Sequence, residues 1–135
     1  MPGLKCFFID DLPEEHLLFK LALEQTGTPV ECFYYFDGRD CLNQLKGSIY
    51  PMPDVIFVDV NMSGMNGIAF LQQIKSIERL WHLPVYMYSV EDFPSTINAA
   101  MSLGAAGFIV KKSDPDLQMQ DLKAVLTDTQ AQRVG

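Results

Sequence analysis

Apolar residues fall into five short runs, separated by longer stretches in which they recur every three or four positions. The runs cover 4–9, 30–36, 54–58, 85–88 and 108–110, are rich in β-branched and aromatic residues, and read as strands. The third contains Val55-Ile56-Phe57-Val58 without a polar break and ends at Asp59, as expected of a strand covered by helices on both faces. Between the runs the spacing predicts helices. Leu17, Leu18, Leu21 and Ala22 form the apolar stripe of a first helix from Pro13 to about Gln25. Pro13 suits a first helical position, Glu14 and Glu15 suit the positive end of the helix dipole, and Gly27 is a stop. His16, on the same helix, is expected to face solvent.

Asp37 reads as the N-cap of a second helix over roughly 38–46, with Cys41, Leu42 and Leu45 on one face. Pro51 and Pro53 keep the next connection extended. Ile68, Leu71, Ile74, Lys75 and Ile77 suggest a third helix, with Trp81 after it packing the helix end onto the sheet. Ser89 closes the fourth run. Pro94 opens a short helix carrying Ile97, Ala100, Met101 and Leu103, and Gly104 ends it. Asp114 and Pro115 start a last helix with the stripe Leu117, Leu122, Val125 and Leu126. One domain over 1–127 is expected, followed by a short, polar, frayed tail at 128–135.

Strand and helix thus alternate five times. Short connections favour right-handed crossovers and a doubly wound, five-stranded parallel sheet, an α/β architecture. A flavodoxin-like strand order of 2-1-3-4-5 sets the first and third strands side by side at the topological switch point, where such sheets bind ligands.

A chain of 135 residues, 48% apolar and 20% charged, fits one globular domain. Its start lacks the plan of a signal peptide, and no apolar stretch approaches membrane-helix length, so a cytoplasmic protein without membrane contact is expected. A net charge of −7 opposes binding to nucleic acid. Cys6, Cys32 and Cys41 lack metal-ligand spacing and read as buried free thiols.

Chemistry gathers at the strand ends. Asp10-Asp11 follows the first run, Asp59 the third and Lys111 the fifth. Three carboxylates in one crevice repel one another unless a cation sits among them, and magnesium, a hard ion with oxygen ligands, fits. That ion and Lys111 would draw in a phosphoryl group, with Asp59 as the acceptor. For Asp10-Asp11 alone the competing reading is a helix cap with a dipole-compensating acid. Asp59 and Lys111 at matching strand ends tip the balance toward a site.

The acidic pair, the aspartate, Ser89 after the fourth run and the lysine after the fifth stand in the order found in one family. The chain resembles a receiver domain of two-component response regulators, of the single-domain kind seen among chemotaxis regulators, over residues 4 to about 127. Asp59-Val60-Asn61-Met62-Ser63-Gly64-Met65-Asn66-Gly67 is similar to that family's aspartate loop, and Gly104-Ala105-Ala106-Gly107-Phe108 to the approach to its fifth strand. The resemblance implies that Asp59 receives phosphate from a histidine kinase or phosphotransfer protein. It further implies that the Asn61 backbone carbonyl joins Asp10, Asp11 and Asp59 around magnesium. Ser89 and Phe108 would form the switch, and Asn61 and Glu91 would flank the path of the water that removes the phosphate. The output would be contact with a downstream protein, since few residues follow the last helix.

Two positions depart from the family pattern. Ser63 replaces a usual proline, which is expected to loosen the aspartate loop. Lys112 replaces the proline that usually follows the lysine, and the Lys111–Lys112 peptide is nonetheless expected to be cis. Two other functions are compatible with the same residues: an aspartate-nucleophile phosphohydrolase, and a pseudo-receiver that serves only as a docking surface.

Overall fold

Each apolar run becomes a strand, and each strand feeds a helix. The computed structural model describes residues 3–47 and 52–134, so the expectation for Pro51 lies outside the described residues. In chain order the elements are β1 (Leu4–Ile9), α1 (Pro13–Gln25), β2 (Val30–Tyr35), α2 (Gly38–Gly47), β3 (Val55–Asp59) and α3 (Gly67–Ser76). They continue with β4 (Val85–Ser89), α4 (Pro94–Ser102), β5 (Gly107–Val110) and α5 (Pro115–Val134). The strands form one parallel sheet, as the alternation predicts, in the expected flavodoxin-like order β2-β1-β3-β4-β5.

Two cores follow from the pleat. Phe7, Ile9, Ile56, Val58, Val85 and Met87 point to one face and meet buried residues of α2, α3 and α4. Leu4, Cys6, Phe8, Val55, Phe57 and Tyr88 point to the other and meet α1 and α5. β3 is buried at every position, as its unbroken apolar run requires. Caps stand at Asp37 and Asp114, where the sequence suggests them, and also at Asn66, where it does not. Asp37 accepts from the Arg39 N–H, Asn66 from Ala69 and Asp114 from Asp116. Gly27 and Gly104, after α1 and α4, take positive φ of 71° and 98°.

Several expectations fail, each for a packing reason. The buried residues of α1 are His16, Phe19, Ala22 and Leu23, whereas Leu17, Leu18 and Leu21 are 59%, 58% and 47% exposed. Stacking of Phe19 on Phe8, with ring centroids 4.0 Å apart, sets the rotation of the helix and turns those leucines outward. His16 is buried for the same reason: it lies flat on Phe36 at 4.2 Å, with Phe8 edge-on at 5.3 Å and Tyr34 tilted against it at 5.4 Å. Trp81 is 54% exposed rather than packed on the sheet, and its carbonyl accepts from Lys75. Leu117 and Met101 are likewise exposed. Residues 128–134 are not a frayed tail but the end of α5. Thr129 is buried there, and Arg133 donates to the Gly3 carbonyl and faces Asp54.

Gly67 is where the fold presses hardest on the future site. A Cβ there would lie 2.4 Å from the Asp59 carbonyl oxygen and 2.9 Å from Val60 Cα, both backbone atoms that cannot swing away. The Gly67 N–H instead donates to the Val60 carbonyl at 3.0 Å, closing the loop after β3. Gly67→Ala is therefore expected to destabilise the protein by about 1–3 kcal/mol, the usual range for overpacking, as measured by urea unfolding. Stability equal to the parent would mean that this approach is not tight.

Candidate functional site

Register places the carboxylates together. Ile9 pairs with Val58 across β1 and β3, so Asp10 and Asp59 emerge side by side at the carboxyl edge of the sheet. Asp10 is fully buried and Asp59 nearly so, while Asp11 is half-buried at the rim. Each of the three can offer an oxygen within 4.8 Å of the others'. This grouping, hard oxygen donors drawn close against their own repulsion, could hold a metal ion.

Asp10 also anchors the turn into α1. Its Oδ1 accepts from the Leu12 N–H at 3.0 Å, and its Oδ2 accepts from Lys111 Nζ at 2.9 Å. The His16 ring meets the Asp10 carbonyl through Nε2 at 2.6 Å. Asp11 is held from the aspartate loop: the Ser63 N–H and hydroxyl donate to its Oδ2 at 2.9 and 3.0 Å. The expectation of a looser loop at Ser63 is thus corrected, because a proline there would lack both donors and serine ties the loop to the acidic pair.

Lys111 reaches across from the end of β5. Besides Asp10 it lies 3.4 Å from Glu15 and 3.7 Å from Asp59, and it sits 5.4 Å from the centre of the Tyr88 ring. Burial pulls its pKa down, but the Asp10 hydrogen bond and the Asp59, Asp10 and Glu15 charges more than offset that, leaving it raised. The ammonium persists at any ordinary pH. Four carboxylates against one ammonium leave a formal −3 when all are ionised. Burial is the main reason the Asp59 pKa rises to about 6; Lys111 works against the rise, and Asp10 adds to it.

The peptide between Lys111 and Lys112 is trans, which corrects the expectation of a cis bond. A non-proline cis bond costs about 2.5–4 kcal/mol. Lys112 also has an N–H that proline lacks, and it donates this to Gln118 Oε1 at 2.8 Å, while its ammonium pairs with Asp121.

The remaining predicted residues are arranged around this centre. Ser89 is buried at the end of β4, where its hydroxyl oxygen accepts from the Glu91 N–H at 3.1 Å. The Asn61 N–H approaches Asp59 Oδ1 at 3.4 Å, and the Asn61 and Glu91 residues are exposed. Phe108 is half-buried against the core beneath α2–α4. Four participants escaped the sequence reading. Glu15 reads as a dipole-compensating acid, and only its place one helical turn beyond the acidic pair hints that it faces Lys111. His16, Ser63 and Tyr88 carry no sequence signal for their contacts.

Comparison with known proteins agrees with this geometry. The family model described as the response regulator receiver domain matches residues 6–125. The chemotaxis protein CheY-3 of Vibrio cholerae is 40% identical over 109 residues, covering 81% of each chain. The transcriptional regulatory protein DegU of Brevibacillus brevis is 27% identical over 113 residues, 83% of this chain but only 47% of DegU, so the chain spans about half of that relative. Among solved structures, the phosphorylated cyanobacterial phytochrome response regulator RcpA superposes with a TM-score of 0.82 over 91% of both chains at 24% identity, a likeness of fold. With its five-stranded sheet and its acidic cluster facing a lysine, this chain belongs to the response regulator receiver domain family.

Proposed function

We propose that the protein is a phosphorylatable switch in which Asp59 accepts a phosphoryl group from a histidine kinase or phosphotransfer protein. The observation that carries the reading is the clustering of Asp10, Asp11 and Asp59 within 4.8 Å, with Lys111 Nζ 3.7 Å from Asp59. Asp10, Asp11, Asp59 and the Asn61 backbone carbonyl would hold magnesium. When bound, the ion supplies positive charge against the phosphoryl oxygens and relieves the repulsion among the carboxylates. An Asp59 carboxylate oxygen attacks phosphorus as the bond from phosphorus to the donor's imidazole nitrogen breaks, leaving an acyl phosphate on Asp59. Lys111 faces the charge that develops. The Ser89 hydroxyl then turns from the Glu91 N–H toward the phosphoryl oxygens, and Phe108 responds as the aromatic partner of the switch. The signal passes to a downstream protein rather than to nucleic acid. We place this activity in the cytoplasm, consistent with the absence, among the described residues, of any helix able to cross a membrane.

Incubation with magnesium and acetyl phosphate tests the proposal by intact mass. One phosphoryl adduct is expected, absent in Asp59→Asn and absent in excess chelator. An adduct undiminished in Asp59→Asn, or catalytic turnover of a phosphomonoester, would contradict it, the latter in favour of a phosphohydrolase.

The lifetime of the adduct is a separate matter. Asn61 and Glu91 are polar and exposed at the rim, where they can orient an attacking water. An adduct lasting seconds to minutes is expected, and bulky apolar residues at both positions should slow its loss. Equal decay in the double variant would remove these residues from that role.

The raised pKa of Asp59 gives a third expectation. Without metal, the folded protein keeps this proton up to about pH 6, whereas the unfolded chain releases it near pH 4. Between those values the folded state binds more protons, so stability falls as pH rises through this window and the loss is complete above it. The penalty at neutral pH is on the order of 2–3 kcal/mol. Asp59→Asn should therefore match the metal-free parent below pH 4 and exceed it by that amount above pH 6, measured by urea unfolding across pH. A constant difference between the two proteins would show that Asp59 titrates normally.

A further inference from the structure

Cys6 and Cys32 are register partners on the adjacent parallel strands β1 and β2. Both side chains lie on the α1/α5 face of the sheet: Cys6 belongs to that core and Cys32 packs against it. Neighbouring strands run about 4.8 Å apart, within the roughly 4.4–6.8 Å between Cα atoms that a disulfide spans. Hydrogen bonding to Cys32, reinforced by burial, holds the Cys6 thiol well above the usual range.

The two differ in access. Cys6 is fully buried, whereas Cys32 is partly exposed on the edge strand of the sheet. It forms part of the wall of a groove of about 440 Å³ between α1 and β2, together with Lys20, Glu24, Thr28 and Tyr34. The third cysteine, Cys41, is fully buried in the core on the opposite face of the sheet, where burial raises its pKa. It serves as an internal control for chemistry confined to the first pair.

We infer that Cys6 and Cys32 form a dithiol modification site, oxidised by hydrogen peroxide that enters the groove at Cys32. The Cys32 sulfur, as thiolate, attacks one peroxide oxygen. The O–O bond breaks, Cys32 becomes a sulfenic acid, and the other oxygen leaves as water after taking up a proton. The Cys6 sulfur then attacks the Cys32 sulfur. The sulfenic hydroxyl departs and takes the Cys6 proton, forming a second water and the Cys6–Cys32 disulfide. Two thiols are oxidised by two electrons and one peroxide is reduced. A surrounding thiol pool reverses the step, as is usual for disulfides of reducing compartments, which are transient and redox-sensing. The buried partner protects: a sulfenic acid that meets a neighbouring thiol leaves the oxidation ladder before the irreversible acids.

The test is mass spectrometry of the native protein treated with hydrogen peroxide in excess, then digested under non-reducing conditions. The proposal expects a loss of two hydrogens, a linked peptide joining Cys6 to Cys32, and reversal by dithiothreitol. Cys41→Ser should behave as the parent. Cys32→Ser should gain neither link nor oxygen on Cys6. In Cys6→Ser the sulfenic acid on Cys32 should persist and be captured by dimedone. Oxygen adducts on Cys32 in the parent without the linked peptide would overturn the inference. So would a link to Cys41, a dimer joined through Cys32, or no reaction.

Discussion

A buried carboxylate needs a partner, and here the pairing of Asp10 with Lys111 meets that need. Asp10 is wholly removed from water, and an ionised carboxylate in that position is costly unless it is paired and hydrogen-bonded. Lys111 Nζ at 2.9 Å and the Leu12 N–H at 3.0 Å supply both requirements. Breaking such a pair typically costs about 3–5 kcal/mol, because one charge stays behind without compensation. The pair also joins the ends of β1 and β5, elements on either side of β3 and β4, so Asp59 stands between its two anchors. The geometry of the whole carboxyl edge depends on this contact.

The same arrangement keeps the site poised rather than relaxed. Lys111 is shared among Asp10, Glu15 and Asp59, and it cannot neutralise all of them with Asp11 also near. The pKa of Asp59 is raised chiefly by its burial, and the Asp10 charge adds to the rise while Lys111 opposes it. A divalent cation would make up the missing positive charge, and an incoming phosphoryl group would then find Asp59 ionised and Lys111 already at hand. The backbone beneath is fixed by the approach of Gly67 to Asp59, and the rim by the Ser63 bonds to Asp11, so charge can change with little movement of the scaffold.

The alternation of strand and helix and the strand-end places of Asp10, Asp11, Asp59 and Lys111 are legible in the sequence because they follow from periodicity, a local signal, whereas the strand order rests on the flavodoxin-like pattern and the part of Ser89 on the family resemblance. What stayed hidden depends on side chains that meet across the fold. On α1, the leucines at 17, 18 and 21 satisfy helical spacing as well as the true core set does. Only the stacking of Phe19 on Phe8, a contact between separate elements, decides the rotation. His16 turns inward because β2 supplies Tyr34 and its end Phe36, neither of which the helix pattern announces. Glu15 joins the site only once that rotation is set. The trans peptide after Lys111 rests on an N–H that finds Gln118, a partner on α5 that strand-end reasoning does not see.

The central claim is that the crowded carboxylate at the end of β3, and no other group, carries the phosphoryl. Reduction of the phosphorylated protein with borohydride, followed by peptide mapping, reads this directly, because an acyl phosphate on aspartate is converted to homoserine. The account predicts homoserine at position 59 and unaltered aspartate at positions 10 and 11. Homoserine at either of those positions, or a phosphoryl group that resists borohydride and maps to Ser89 or a histidine, would contradict it.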